Sequence, residues 1–114
     1  MLDWNRIREL RSEVGDDEFT LIVELFLDEV EGVIMRLSCK DRRRLVNDLH
    51  FLKDCAWTLG WQGLGDLCEA GEQLAITGAF RPPQLDEILD CYATSKQHMM
   101  GQIGREGGDV MRRA

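Results

Sequence analysis

The chain has 114 residues, of which 44% are hydrophobic and 31% are charged, and 14 Lys and Arg residues against 21 Asp and Glu residues give a formal net charge of −7. This composition is typical of one small soluble domain, and its acidic balance argues against a nucleic-acid partner, because phosphate binding depends on clustered Lys and Arg. No apolar run approaches the roughly 20 residues that cross a bilayer and the start lacks a signal-peptide pattern, so we expect a cytoplasmic protein without a membrane partner.

Helical periodicity dominates the chain, since its only two prolines are adjacent and β-branched alternation is almost absent. The first predicted helix begins after the capping residue Asp3 and ends at Gly15 and Asp16. The second runs from Asp17 to about Cys39 and has a broad apolar face. A short first helix of this kind could lie over the others as a lid.

The next two predicted helices have clear end signals. The third begins after Asp41, a suitable capping residue, and ends at Gly60. The fourth covers about Gln62 to Thr77, and Gly78 stops it. Their apolar residues recur at three- and four-residue spacing, which indicates one buried face on each helix.

The fifth predicted helix starts at Pro82 and Pro83, since proline suits a first helical turn, and continues to Ile103. Four glycines in the last 14 residues predict a disordered tail over Gly104 to Ala114. Short connections favour antiparallel neighbours. We therefore predict an all-α domain over residues 1–103, an antiparallel up-and-down four-helix bundle with a short N-terminal helix.

The cysteines and histidines do not form a metal-binding pattern. No CxxC pair occurs, and the cysteines lie in apolar patterns, so reduced and mostly buried thiols are expected. The two histidines, His50 and His98, stand far apart without flanking cysteine pairs or Glu-x-x-His spacing. Neither a zinc site nor a di-metal carboxylate centre is expected.

The third helix carries the most informative surface. Its core-facing residues fall within about 40° of one direction on a helical wheel: Leu45, Leu49, Leu52, Ala56 and Leu59. His50 lies at about 140° from Leu45 and is predicted to face solvent. An exposed helical histidine usually has no function, but Lys53, one turn further on, could stabilise negative charge carried on the ring.

The segment from His50 to Gly60 resembles the signature of histidine-containing phosphotransfer (HPt) domains, His-x-Leu-Lys-Gly-Ser-Ala-x-x-Leu-Gly. Six of the eight specified positions match. The stretch from Leu64 to Glu72 looks like the family's next helix, and the stretch from Leu21 to Glu29 resembles its earlier acidic and apolar helix. The resemblance covers nearly the whole predicted bundle.

This resemblance implies that His50 accepts a phosphoryl group from an aspartyl phosphate on a response-regulator receiver domain and passes it to another receiver. Lys53 would steady the phosphoryl oxygens. The implied partners are receiver domains and a hybrid sensor kinase, and the receiver would supply the Mg²⁺, so we expect a monomeric phosphocarrier without a cofactor of its own. A self-sufficient enzyme is not expected.

Two positions depart from the family pattern and are expected to modulate the site. Asp54 stands where glycine is usual, and Cys55 stands where serine is usual. Asp54 is four residues after His50, so it adds bulk and negative charge beside the ring, and a pairing of the two would slow attack by the imidazole. We therefore predict weaker or more selective transfer.

Three further residues near His50 are candidate partner contacts, namely Arg43, Asn47 and Trp57. Trp57 and Trp61 could anchor an interface, although a tryptophan beside an apolar stripe is more often partly core. The rest of the arginine run around Arg43 is interpreted as a solvated charge run. His98 lacks a matching motif and is expected to be structural or solvent-facing.

Two functions therefore stay open. The first is phosphotransfer through His50. The second is a helical interaction module that binds a receiver domain or a kinase without transfer, because Asp54 has made the histidine inactive. Label transfer from a phosphorylated receiver distinguishes them.

Overall fold

The computed structural model describes the backbone of residues 2–113 and the side chains of residues 2–102. These residues form five α-helices: α1 (Trp4–Val14), α2 (Asp16–Arg36), α3 (Arg42–Leu59), α4 (Gln62–Ile76) and α5 (Pro82–Arg113). No β-strand occurs in this described part. The predicted all-helical fold class is confirmed.

Aspartate caps start two of the helices, as predicted. The backbone N–H of Arg6 donates to the Asp3 carboxylate at 3.1 Å at the start of α1. The backbone N–H of Arg44 donates to the Asp41 carboxylate at 3.2 Å at the start of α3. Each cap satisfies a helix N–H that has no partner within the helix.

Glycine ends α1 and α3 at the predicted positions. Gly60 has a φ of 89° in the left-handed region, and its N–H donates to carbonyls of the last turn of α3. A side chain would be strained there and would also meet α1, because an added Cβ would lie 3.0 Å from Ile7 Cγ1. The Asp3 N–H donates to the Gly60 carbonyl at 2.7 Å, which fastens the start of α1 to the end of α3.

The ends of α2 and α5 differ from the predicted boundaries. The second helix ends at Arg36 rather than about Cys39, because Leu37 takes an extended conformation (φ −57°, ψ 132°) that lets its side chain enter the core. Helix α5 is assigned as far as Arg113. The predicted tail at 104–114 falls on residues whose side chains lie outside the described part, and it stays a prediction.

The core is formed where α2, α3, α4 and α5 face one another, and α1 packs on α2 and α3. The predicted core stripe of α3 is confirmed, since all five residues are at most 3% exposed. Trp61, at the α3–α4 connection, is fully buried, with its ring 4.8 Å from Phe26 and 5.9 Å from Tyr92 between centroids. A partner-contact interpretation is therefore wrong for Trp61.

The cysteines are free thiols with different surroundings. Cys39 is exposed, Cys55 is partly buried, and Cys68 and Cys91 are buried. Burial raises the pKa of the Cys68 thiol to about 12, so this thiol stays neutral at physiological pH. Within the described chain, no helix combines the length and the apolar character that a bilayer crossing requires.

Candidate functional site

His50 stands on the outer surface of α3, one residue after fully buried Leu49. Its side chain is 55% exposed, in agreement with the predicted solvent-facing position. The capped α3 holds the backbone beneath the ring. The imidazole is therefore accessible while its attachment to the fold is rigid.

Glu72 on α4 binds one nitrogen of this ring. His50 Nδ1 lies 2.9 Å from Glu72 Oε2. Burial raises the pKa of the Glu72 carboxyl, but the hydrogen bonds and positive charge supplied by Lys53 and His50 outweigh that effect and place the net pKa below its ordinary value. The carboxylate is thus ionised near neutral pH and can only accept, so Nδ1 carries the proton and donates.

Lys53 binds the other oxygen of the same carboxylate. Its Nζ donates to Glu72 Oε1 at 2.8 Å, and its side chain is only 14% exposed. The hydrogen bond to Glu72 raises the pKa of Lys53 above its ordinary value, against a smaller opposing effect of desolvation. The predicted charge stabiliser is therefore next to His50, but its ammonium is already paired.

Asp54 occupies the other side of the imidazole. Its Oδ2 lies 3.3 Å from His50 Nε2, and its side chain is 61% exposed. Because Nδ1 donates to Glu72, Nε2 is the nitrogen that carries the lone pair in the neutral ring. In that ring both Nε2 and the Asp54 carboxylate are hydrogen-bond acceptors, so no hydrogen bond joins them. The close approach of Asp54 to His50, which their four-residue spacing on one helix allows, is thus present in the structure.

Trp57 lies on the α4 side of this cluster. Its ring covers Gly65, its Nε1 donates to Asp66 at 3.1 Å, and Lys53 Nζ is 5.8 Å from the ring centroid. The residue is partly buried in the contact between α3 and α4. Trp57 therefore packs against Lys53 and α4, and it does not line the cleft that lies on the other side of His50.

That cleft, here termed the α2–α3 groove, has a volume of about 500 Å³ and lies between α1, α2 and α3. Its lining is mainly apolar, with Leu25 at 54% and Phe51 at 39% exposure. The lining residues are Leu10, Ile22, Leu25, Phe26, Glu29, Asn47, His50, Phe51, Asp54, Cys55, Thr58 and Leu59. An exposed apolar surface of this kind is typical of a binding site.

The remaining predicted residues are divided between this groove and the start of α3. Asn47 and Cys55 line the groove, and burial raises the pKa of the Cys55 thiol, which does not favour a nucleophilic role. Arg43 is exposed and lines a shallower depression with Asn47 and Ile76, about two turns before His50. His98 is exposed on α5.

The neighbouring arginine Arg42 has a structural contact, since its guanidinium donates to the Ile76 carbonyl at the end of α4. A cation at a helix C-terminus satisfies a carbonyl that lacks a partner within the helix. Arg42 is therefore held by the end of α4, which differs from its interpretation as part of a solvated charge run.

Glu72 is the site residue that sequence reasoning missed. It lies 22 residues after His50, and only the packing of α4 on α3 brings the two together. A signal was nevertheless present, because Glu72 follows Leu64, Cys68 and Gly71 on the apolar face of α4. A carboxylate on a core-facing stripe needs a cationic or hydrogen-bonding partner, and Lys53 and His50 are its partners.

The arrangement can hold a proton at Nδ1 while presenting Nε2 to a reactant that approaches from the groove. Among the residues whose side chains the structure describes, no group of His, Cys, Asp or Glu is arranged to hold a metal ion. Comparison of the chain with protein-family models, with curated proteins and with solved structures found no match.

Proposed function

We propose that the protein is an HPt-type phosphocarrier in which His50 takes a phosphoryl group from the aspartyl phosphate of one receiver domain and passes it to another. One observation carries the proposal: an exposed imidazole is oriented by a nearly buried carboxylate, which is itself paired with a lysine. A ring that is only a surface feature does not need such support.

The transfer step follows from this geometry. The Nε2 lone pair attacks phosphorus, the bond between phosphorus and the acyl oxygen breaks, and the receiver's carboxylate leaves with the electron pair. The proton stays on Nδ1, so the ring becomes cationic as the N–P bond forms. Glu72, at 2.9 Å, stabilises this charge and keeps Nε2 directed outward.

Lys53 serves the site as a fixed positive charge. Its pairing with Glu72 leaves the two together neutral, so a phosphoryl group on Nε2 does not face an unbalanced carboxylate on the α4 side. The return transfer to a second receiver reverses the same bonds. The receiver would supply Mg²⁺, whose charge would offset that of the phosphoryl oxygens while the partner is bound.

The α2–α3 groove is the docking surface in this proposal. Leu25 and Phe51 expose apolar area beside His50, and Asn47 lies at the same edge. The proposed architecture is an antiparallel up-and-down four-helix bundle of α2 to α5, with α1 as the short N-terminal helix. The proposed protein is a cytoplasmic monomer whose partners are receiver domains and a hybrid sensor kinase.

A second candidate function is supported by Asp54. Its contact with Nε2 places a carboxylate where the phosphoryl group would bind. If no partner displaces this carboxylate, the protein is a helical interaction module that binds a receiver or a kinase through the groove without accepting phosphate.

Label transfer tests both functions. A purified receiver phosphorylated with labelled acetyl phosphate is mixed with the intact protein, with His50→Gln and with His98→Gln, the last being a matched control because His98 is also an exposed helical histidine. We expect acid-labile label on the intact protein and on His98→Gln, and none on His50→Gln. Binding of the receiver without label on any variant would support the interaction module, and equal labelling of His50→Gln would refute the role of His50.

A further inference from the structure

The start of α3 carries positive charge in a chain whose net charge is −7. Five of the nine residues from 36 to 44 are Lys or Arg. Two of them are held by the fold, since Arg36 pairs with a buried aspartate of α3 and Arg42 donates to the end of α4. The other three are exposed and pair with no carboxylate among the described residues, namely Lys40, Arg43 and Arg44. These three cations are available to a partner.

Helical spacing places two of these cations in line with the proposed docking surface. Arg43 lies seven residues before His50, and Arg44 lies seven residues before Phe51. Seven residues are close to two complete turns, so each arginine shares a face of α3 with the later residue, about 10 Å away along the helix axis. Positive charge thus lies at one end of the surface that presents the imidazole and the exposed Phe51 ring.

The α2–α3 groove itself has the opposite charge. Glu29 and Asp54 line it, and no Lys or Arg occurs among its described lining residues. Asp54 lies one turn after His50, whereas Arg43 lies two turns before it. A partner with a charged surface therefore meets two ends of opposite sign, and the electrostatic energy depends on the direction in which it docks.

The proposed reaction requires negative charge on the partner. A receiver that holds Mg²⁺ beside its aspartyl phosphate binds the ion through oxygen ligands, and carboxylates are the usual protein ligands of Mg²⁺. The phosphoryl group adds between about −1.5 and −2 charges. During transfer the phosphorus lies within bonding distance of His50 Nε2, so side chains about 10 Å from His50 face the rim of that site.

We propose that Arg43 and Arg44 bind and orient the receiver by contacting the more acidic side of the rim around its phosphorylated aspartate. This inference rests on the proposed phosphotransfer function. In this arrangement the acidic side of the rim lies over the start of α3, whereas the opposite docking direction would place it against Glu29 and Asp54. Attraction at one end and repulsion at the other select one direction, and the attraction also raises the rate of encounter.

Association kinetics at several salt concentrations test the attraction. The probe is a purified receiver domain phosphorylated with acetyl phosphate, and the measured quantity is its association rate constant with each variant. We expect Arg43→Glu to associate about five- to tenfold more slowly at low ionic strength, the change that corresponds to reversing one unit charge about 7 Å from an opposite charge in water. Arg44→Glu should act in the same direction. Both differences should decrease as salt screens the charges.

Arg8→Glu is the matched control. Arg8 is an exposed arginine of α1 that pairs with no carboxylate among the described residues and does not line the groove. The substitution changes the net charge as much as Arg43→Glu does, so it should leave the association rate close to that of the intact protein. Circular dichroism verifies that each variant is helical.

Charge reversal on both partners tests the orientation. Each exposed carboxylate of the receiver near the phosphorylated aspartate, other than the Mg²⁺ ligands, is changed in turn to Lys. One of these changes should slow label transfer to the intact protein and restore it to Arg43→Glu, because opposite charges then meet again.

The outcomes separate this proposal from the proposed function. Equal rates for Arg43→Glu and Arg8→Glu, or the failure of every receiver change to restore transfer to Arg43→Glu, would refute the orienting role while phosphotransfer stands. If phosphatidylserine vesicles bind the intact protein but not Arg43→Glu, and receiver kinetics are unchanged, the arginines bind a membrane surface and the proposal is wrong. If no receiver labels His50 in the intact protein, phosphotransfer fails and this proposal fails with it.

Discussion

Gly65 on α4 lies against the ring of Trp57 on α3, and its replacement by alanine tests that packing. A Cβ added at Gly65 would lie 2.9 Å from Trp57 Cγ and still closer to Cδ1 and Nε1. Carbon atoms in favourable contact are about 3.5–4.0 Å apart, so the ring must move. Movement would disturb the hydrogen bond from Trp57 to Asp66 and the contact with Lys53.

The expected decrease in the free energy of unfolding of Gly65→Ala is the difference between a steric cost and a gain in helix propensity. Overpacking of this kind costs about 1–3 kcal/mol, whereas alanine is about 1 kcal/mol more favourable than glycine inside a helix. We expect Gly65→Ala to reduce the free energy of unfolding by about 1 kcal/mol. Gly32→Ala is the matched control, because Gly32 lies within α2 and a Cβ there meets nothing within 4 Å. That variant should be stabilised by about 0.5–1 kcal/mol.

Urea denaturation followed by circular dichroism measures both variants. The helix-propensity gain is common to them, so the difference between their free energies of unfolding isolates the steric cost at Trp57. In a Trp57→Ala background the ring is absent, and Gly65→Ala should then stabilise the protein as Gly32→Ala does. If Gly65→Ala stabilises the otherwise intact chain as much as Gly32→Ala, the packing of Trp57 on Gly65 is refuted.

Three other predictions concern the ion pair, the thiols and the core. The pKa of Glu72 is lowered in the folded chain, so its contribution to stability is present above the ordinary value of 4.5 and is lost as the pH falls through the folded value. The urea midpoint of the intact protein should therefore fall more steeply than that of Glu72→Gln between about pH 5 and pH 3. Parallel curves would contradict the pairing of Glu72 with Lys53 and His50. Cys39 should react with a thiol reagent in the native protein, whereas Cys68 should react only after unfolding. If mass spectrometry finds the reagent on Cys68 in the native protein, the burial of this thiol is contradicted. Leu49→Ala should cost about 2–5 kcal/mol in urea denaturation, but Phe51→Ala less than about 1 kcal/mol, and equal losses would place Phe51 in the core rather than at the groove.

Local signals were sufficient to predict most of the helix boundaries. Asp3, Asp41 and Gly60 act through hydrogen bonds or backbone angles within a few residues of their own position, and the structure has each of them at the predicted helix end. The predicted end of α2 at about Cys39 is wrong because this helix end depends on contacts that are distant in sequence. Leu37 leaves the helix because its side chain packs into the core formed by other helices. No neighbouring residue in the sequence indicates that the helix ends there.

The candidate site divides in the same way. Helical periodicity alone was sufficient to predict that His50 faces outward. The spacing of Lys53 and Asp54 from His50 was sufficient to predict that both lie near it, because the three residues share one helix. Only the packing of α4 on α3 decided that Glu72 binds both His50 and Lys53. Hydrogen bonds within a helix follow from separation along the chain, whereas contacts between helices depend on how the apolar faces fit together, which one-dimensional spacing does not contain.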